Sequence, residues 1–288
     1  SAGKTARFRG EDIIVEELLP STFRDIDFAI FSAGSKVSRE ITPAACDAGC
    51  IVIDNSTAFR LDSDVPLVVP EINAGALARH RGIIANPNCT TAILCMALYP
   101  LHKAFELTSV IASTYQAVSG AGARGLHTLQ HELETSSMSA KSVFPRQIAH
   151  NVISQVDAFS PSGYTKEELK IESEGRKIMD HPTFRASVTC VRVPVLCAHS
   201  IAATALFKHP CDVQEAYEVL HDAPGVMAVW KAEQYPTPLD AVGGDECMVG
   251  RIRKDSVFEN ALSFFVCGDQ LRKGAALNAV QILELLMK

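Results

Sequence analysis

Several features that would decide the class of a protein at once are missing from this sequence. No apolar run approaches the ~18 residues of a membrane span, and no signal peptide is expected at its start. There is no basic excess: 27 Lys plus Arg stand against 33 Asp plus Glu, a net charge of −6. Non-specific nucleic-acid binding needs a basic face, so neither nucleic acid nor membrane is expected as a partner. No CxxC pair occurs among nine cysteines, an odd number, which favours neither a disulfide framework nor a zinc ribbon. A reducing, cytoplasmic compartment is expected. Internal repeats, low-complexity tracts and a marked linker are lacking too. What is present is ordinary for a globular enzyme: 288 residues, 47% apolar and 21% charged. Such a length suits one large domain or two medium ones and buries roughly three quarters of the unfolded surface.

The first half alternates short apolar runs with helical patterns. Phe28–Phe31 ends in Ser32-Ala-Gly34, while Ile51–Ile53 and Leu67–Val69 stop at polar loops. A helix-like stretch around Thr42–Asp47, with Gly49 as its cap, separates the first two. Strand, helix and strand at this spacing predict a parallel sheet, with ligands gathering at the carboxyl ends of its strands. Beyond Ile83, the stripe Ile93, Leu94, Met96, Ala97, Leu98 and Leu101 predicts a buried helix. Further strands are expected over 109–117, 186–195, 200–207 and 261–267, with helices over 125–134 and 166–179 and a long final helix over 269–288.

Cys89 is the most informative residue. It follows Asn86-Pro-Asn88 and opens a strong helical pattern, so it belongs on a first helical turn. A helix N-terminus favours thiolate over thiol, and its free N–H groups can hold an oxyanion. Against this stands the bland alternative of a small buried hydrophobe, as expected for the other eight cysteines. His199 closes the apolar run Arg192-Val-Pro-Val-Leu-Cys-Ala, which could set an imidazole at a strand end; alone, a packing role is commoner. Cys190, Cys197 and His199 match no common zinc spacing, so no metal site is expected. Arg60 lies in a polar loop and suits phosphate or carboxylate. Glu167 and Lys170 share a helical face, where a solvated ion pair is the plainer reading. Ser119-Gly-Ala-Gly122 is a small-residue loop, either a turn or a place for close cofactor approach.

Together these segments resemble the aspartate-semialdehyde dehydrogenase family, nearly end to end. The resemblance is carried by Ser1-Ala-Gly-Lys4, Phe31-Ser-Ala-Gly34, Asp54-Asn-Ser-Thr-Ala-Phe-Arg60 and Val69-Pro-Glu-Ile-Asn73. It continues through Ala85-Asn-Pro-Asn-Cys-Thr90, Ser113–Gly122, Arg192-Val-Pro-Val195 with His199, and Cys267-Gly-Asp-Gln-Leu-Arg-Lys-Gly-Ala-Ala276. It implies an α/β protein with a Rossmann-like parallel-sheet domain and an α+β catalytic and dimerisation domain. The implied reaction is NADPH-dependent reductive dephosphorylation of L-aspartyl 4-phosphate to L-aspartate 4-semialdehyde, towards lysine, threonine, methionine and diaminopimelate. By the same resemblance Cys89, preceded by Asn88, is the nucleophile that forms a thioester, and His199 moves protons with an ordinary pKa near 6.5. Gln116 positions the substrate, Arg192 clamps its carboxylate and Glu167 meets its ammonium group. Arg60 and Lys170 hold phosphate. Ser1, Ser32, Gly34, Ser119, Gly120 and Gln270 are implied to contact NADP.

The family's pattern begins with a strand and a GxxGxxG loop, and this sequence contains no GxxGxxG run. Weak or absent NADPH binding is therefore expected of the chain as it stands. The expected division is residues 1–88, completed by the helix at 268–288, as the remainder of the nucleotide domain, and 89–267 as the catalytic domain. A homodimer or homotetramer is expected. Two rivals are kept open: N-acetyl-glutamyl-phosphate reductase, which typically has Gly rather than Asn before its cysteine, and a non-catalytic dimerising fragment of the same fold.

Overall fold

The structure, a computed structural model, describes residues 2–138 and 140–288. A small antiparallel hairpin, β1 (Thr5–Phe8) and β2 (Glu11–Ile14), is exposed and joins neither of the two larger sheets. β3 (Phe28–Phe31), β4 (Ile51–Asp54) and β5 (Ile83–Ala85) form a three-stranded parallel sheet. α1 (Ser35–Asp47) crosses from β3 to β4 with Ala45 buried; Ala48 caps it, and Gly49 follows at φ 87°. Leu67–Val69 does not become a strand and makes only a bridge to Ala85. The short helix α2 (Pro70–Asn73) begins at once, and the Asn73 side chain takes the Val69 N–H and donates to the Leu67 carbonyl. The ladder with β5 uses the Pro66 carbonyl and the Val68 N–H, and it stops there because its next donors would be Pro70 and Pro87, which have no N–H.

α3 (Cys89–Phe105) leads into the second unit, whose remaining helices are α4 (Ala123–Thr135), α5 (Lys166–Ile178), α6 (Val213–His221) and α7 (Pro238–Ala241). Its strands are β6 (Leu107–Gln116), β7 (Arg185–Arg192), β8 (His199–Phe207), β9 (Val226–Val229), β10 (Cys247–Lys254) and β11 (Ala261–Gly268). They make one mixed sheet in the order β7-β6-β8-β11-β10-β9. α3 is apolar nearly all round, with eleven buried residues, as a helix enclosed on every side must be. Its core continues from Leu67 and Ala85 through Ile93 and Leu98 to Val110, Ile201 and Val266.

The expected single final helix is divided. Arg272–Ala276 is a π-helical turn, and α8 (Leu277–Leu286) follows it. Ala279 and Ile282 of α8 pack on Ile53 and Ile84 of the parallel sheet.

Sheet register explains why distant sequence segments meet. Gln116, last in β6, stands beside Arg192, last in β7. β8 runs antiparallel to β6 and β11, so its first residue, His199, pairs with Gly268 at the end of β11. Four strand termini thus lie at one end of the mixed sheet.

Candidate active site

At that end the nucleophile candidate arrives on α3. Asn88 is the N-cap, and its side-chain oxygen accepts the N–H groups of Thr90 and Thr91 at 3.0 and 3.1 Å. This places Cys89 at the first helical position, partly open while its neighbours are buried. The expectation of a depressed thiol pKa is corrected here. Burial, then Glu167, push the Cys89 thiol up to about 11, and Thr90, Arg60 and Arg192 offset only part of that. Desolvation of a thiolate outweighs the helix end.

His199 is fully buried. Its Nδ1 accepts the Ala117 N–H at 3.0 Å, so the neutral ring carries its proton on Nε2. That Nε2 has no hydrogen-bond partner among the described residues. Burial, then the Arg192 charge, lower its pKa to about 3, well below the ordinary value expected of a free imidazole.

Glu167 organises the site. Its Oε1 accepts from Asn88 Nδ2 at 2.9 Å and Gln116 Nε2 at 3.1 Å, and its Oε2 accepts from Lys170 Nζ at 3.0 Å. The Glu167–Lys170 pair is therefore no solvated surface pair: Glu167 is 6% exposed, and Lys170 also holds Asp157 at 2.9 Å. Burial raises the Glu167 pKa, but Lys170, Asn88 and Gln116 more than offset this and hold it below the usual range. Seven residues on, Glu174 takes the Asn88 backbone N–H at 2.6 Å and Arg60 at 3.0 Å. Arg60 is buried too, with Nε on the Asn86 carbonyl and a terminal nitrogen on that of Asn55. Two of its five N–H groups have no partner among the described residues.

Arg192 donates to the Ala117 carbonyl at 2.7 Å, so the Ala117 peptide ties Arg192 and His199 together. Gly120 is exposed, and a Cβ there would stand 2.9 Å from the Arg192 guanidinium and 3.1 Å from the imidazole. The bare backbone thus leaves room beside both groups. Gln270 donates to Ser119 Oγ and accepts the Ala198 N–H at 2.7 Å. Cys89, Asn88, Gln116, Glu167, Lys170, Arg60, Arg192, His199, Ser119, Gly120 and Gln270 are thereby drawn into one region.

Ser32 and Gly34 lie elsewhere, exposed between the end of β3 and the start of α1 on the parallel sheet. Ser1 falls outside the described residues. A cleft of 750 Å³ beside β7 and α5, lined by Tyr164, Glu168 and Arg185, contains none of the site residues.

Sequence reading misses Glu174, Asn86 and Gly274. Glu174 lies two helical turns after Glu167, so spacing puts both on one face. Asn86 Nδ2 donates to the Ala275 carbonyl and Oδ1 accepts from Asn278, joining the Cys89 loop to the π turn. In that turn a Cβ on Gly274 would stand 2.8 Å from the Cys89 Cβ. The expectation that no GxGxxG run occurs is corrected as well: Gly120, Gly122 and Gly125 carry that spacing, from the loop after β6 into the first turn of α4.

Residues 1–80 match the model of the semialdehyde dehydrogenase NAD binding domain, and residues 98–273 that of the semialdehyde dehydrogenase dimerisation domain. The aspartate-semialdehyde dehydrogenases of Aquifex aeolicus and Bacillus subtilis are 46% and 44% identical, over all of this chain and 87% of theirs. The crystal structure of aspartate semialdehyde dehydrogenase II from Vibrio cholerae matches with a TM-score of 0.94 and 41% identity, covering 100% of this chain and 87% of that one.

Proposed function

Because the chain belongs to the aspartate-semialdehyde dehydrogenase family, we propose that the cluster around Cys89 and His199 carries out the reductive dephosphorylation of L-aspartyl 4-phosphate to L-aspartate 4-semialdehyde. The observation that carries this assignment is the Glu167 carboxylate. It is bonded at once to the cap of the nucleophile's helix, to Gln116 and to Lys170. A substrate bearing an amine, a carboxylate and a phosphate needs such opposed charges held at fixed spacing.

Cys89 Sγ forms the bond to the acyl carbon as the carbon–oxygen bond to phosphate breaks, leaving a thioester, and the proton from the thiol leaves on the departing phosphate, which is the stronger base once that bond has broken. Arg60, through its two spare N–H groups, and Lys170, through its third, take the departing phosphate. Arg192 clamps the α-carboxylate, and Glu167 receives the ammonium group on the lone pair its three partners leave open. His199 acts from Nε2–H as a donor to the carbonyl oxygen while negative charge develops there. The substrate also removes two penalties. Its carboxylate offsets the Arg192 charge that depresses His199, and its ammonium offsets the Glu167 charge that raises Cys89.

Ser119, Gly120 and Gln270 fit a nicotinamide, since Gly120 leaves open backbone beside the ring of His199. Ser32 and Gly34 suit the remainder of the dinucleotide, at a strand carboxyl end and helix start. NADPH, when bound, supplies the hydride that reduces the thioester. Self-association accords with the dimerisation-domain match, and a homodimer or homotetramer is the proposed assembly.

Phosphate-dependent oxidation of L-aspartate 4-semialdehyde, followed as NADPH formation with NADP in large excess because weak cofactor binding is expected, tests the assignment. C89S is expected to lower kcat by about 10⁴-fold or more. Full activity in C89S, or preferential turnover of N-acetyl-glutamate semialdehyde, overturns it.

A further inference from the structure

A second buried carboxylate stands behind the first. Glu174 is 1% exposed and lies on α5 two turns beyond Glu167. Its two oxygens are divided between separate elements. Oε1 accepts from Arg60, on the loop after β4, and Oε2 accepts the backbone N–H of Asn88 at 2.6 Å. That N–H belongs to the N-cap, whose side chain is already committed to α3 and to Glu167. Arg60 in turn donates to the carbonyl of Asn86, two residues before the same cap. The loop 86–88 is thus gripped from both sides of one ion pair. A surface pair would contribute little; this one is enclosed, with side chains 8% and 2% exposed.

We propose that Glu174 is a positioning residue for the reaction, joining the arginine that holds phosphate to the start of the helix that carries the nucleophile. This rests on the assignment of Cys89 and Arg60 given above. A single carboxylate sets the distance between two groups that must act on opposite ends of the same breaking bond. A neutral amide cannot replace it, because Gln has one acceptor oxygen for two donors and would turn its own N–H₂ towards one of them.

The test compares E174Q with the wild-type chain in the phosphate-dependent oxidation. KM for inorganic phosphate is expected to rise about tenfold, the scale for a lost charged hydrogen bond, and kcat to fall by a similar factor. KM for the semialdehyde, which Arg192 holds, should change less than twofold. A general loosening of the fold would instead move both KM values together. E174D keeps the charge but is shorter by one methylene; it should fold if E174Q does not, and show the same split. Unchanged phosphate KM and kcat in either variant overturns the positioning role. So does rapid hydrogen exchange at the Asn88 amide of the wild-type chain, which needs no variant. C89S run in parallel separates the two ideas: activity surviving there sinks the nucleophile assignment, whereas inert C89S with unaffected E174Q sinks only the role of Glu174.

Discussion

Cys89 shows how one residue's chemistry depends on its enclosure. All nine cysteines are free thiols, and burial pushes Cys95, Cys190, Cys247 and Cys267 up as well as Cys89. A first-turn position alone therefore does not make a thiolate. Burial is the larger cause and Glu167 the smaller, and the substrate's ammonium group relieves the second. Since only the thiolate attacks, alkylation of Cys89 by iodoacetamide in the ligand-free chain should still be rising at pH 10, by about tenfold per pH unit. Mass-spectrometric mapping of the Cys89 peptide across pH 7 to 10 checks this. A plateau near neutral pH would show a thiolate already formed at rest.

Among the elements, the π turn at 272–276 has the sharpest requirement. It follows Gln270, which binds Ser119 and Ala198, and its Ala275 carbonyl receives Asn86. Lys273 anchors it from behind, fully buried against Glu71, Asn278 and Gln281. An ordinary α-helical run would not distribute these bonds in the same way, and π turns recur at functional sites. Gly274 faces Cys89 so closely that an added methyl group must displace one of them. G274A should cost about 1–3 kcal/mol in stability and reduce kcat more than the loss of folded protein accounts for. Thermal unfolding and turnover measured on one preparation test it, and wild-type values for both would show that the turn has slack.

For the molecule as a whole, a buried neutral histidine makes stability depend on acid. The folded state holds His199 far below its unfolded value. Below about pH 6.5 the unfolded chain gains a proton that the folded chain refuses, so stability is lost as pH falls towards 3. His102, lowered by partial burial and by His181, contributes in the same sense. Glu167 and Asp157, held below the carboxylate range, keep their contribution until more acid conditions. Glu174 works the other way, since burial raises it despite Arg60. Between pH 6.5 and 4.5 the folding equilibrium should lose up to about tenfold per pH unit through His199. Urea midpoints in that window should decline less in H199Q than in the wild-type chain; parallel declines would refute a buried neutral ring.

The sequence by itself determined the local order. Short apolar runs mark β3, β4, β6, β8 and β11, Asn88 and the stripe after it mark α3, and the motifs around Cys89, Arg192 and His199 carry the family resemblance. Those signals are local because strand period and helix capping involve residues close in the chain. Only the tertiary structure decided which charges meet. Glu174 reaches Arg60 across 114 positions and Lys273 reaches Glu71 across 202. It decided the protonation states as well, because desolvation depends on what surrounds a group in space and not on its neighbours along the chain. Leu67–Val69 shows the same divide within one run: its composition reads as a strand, but beyond the bridge to Ala85 the pairing with β5 meets Pro70 and Pro87, which have no N–H to give.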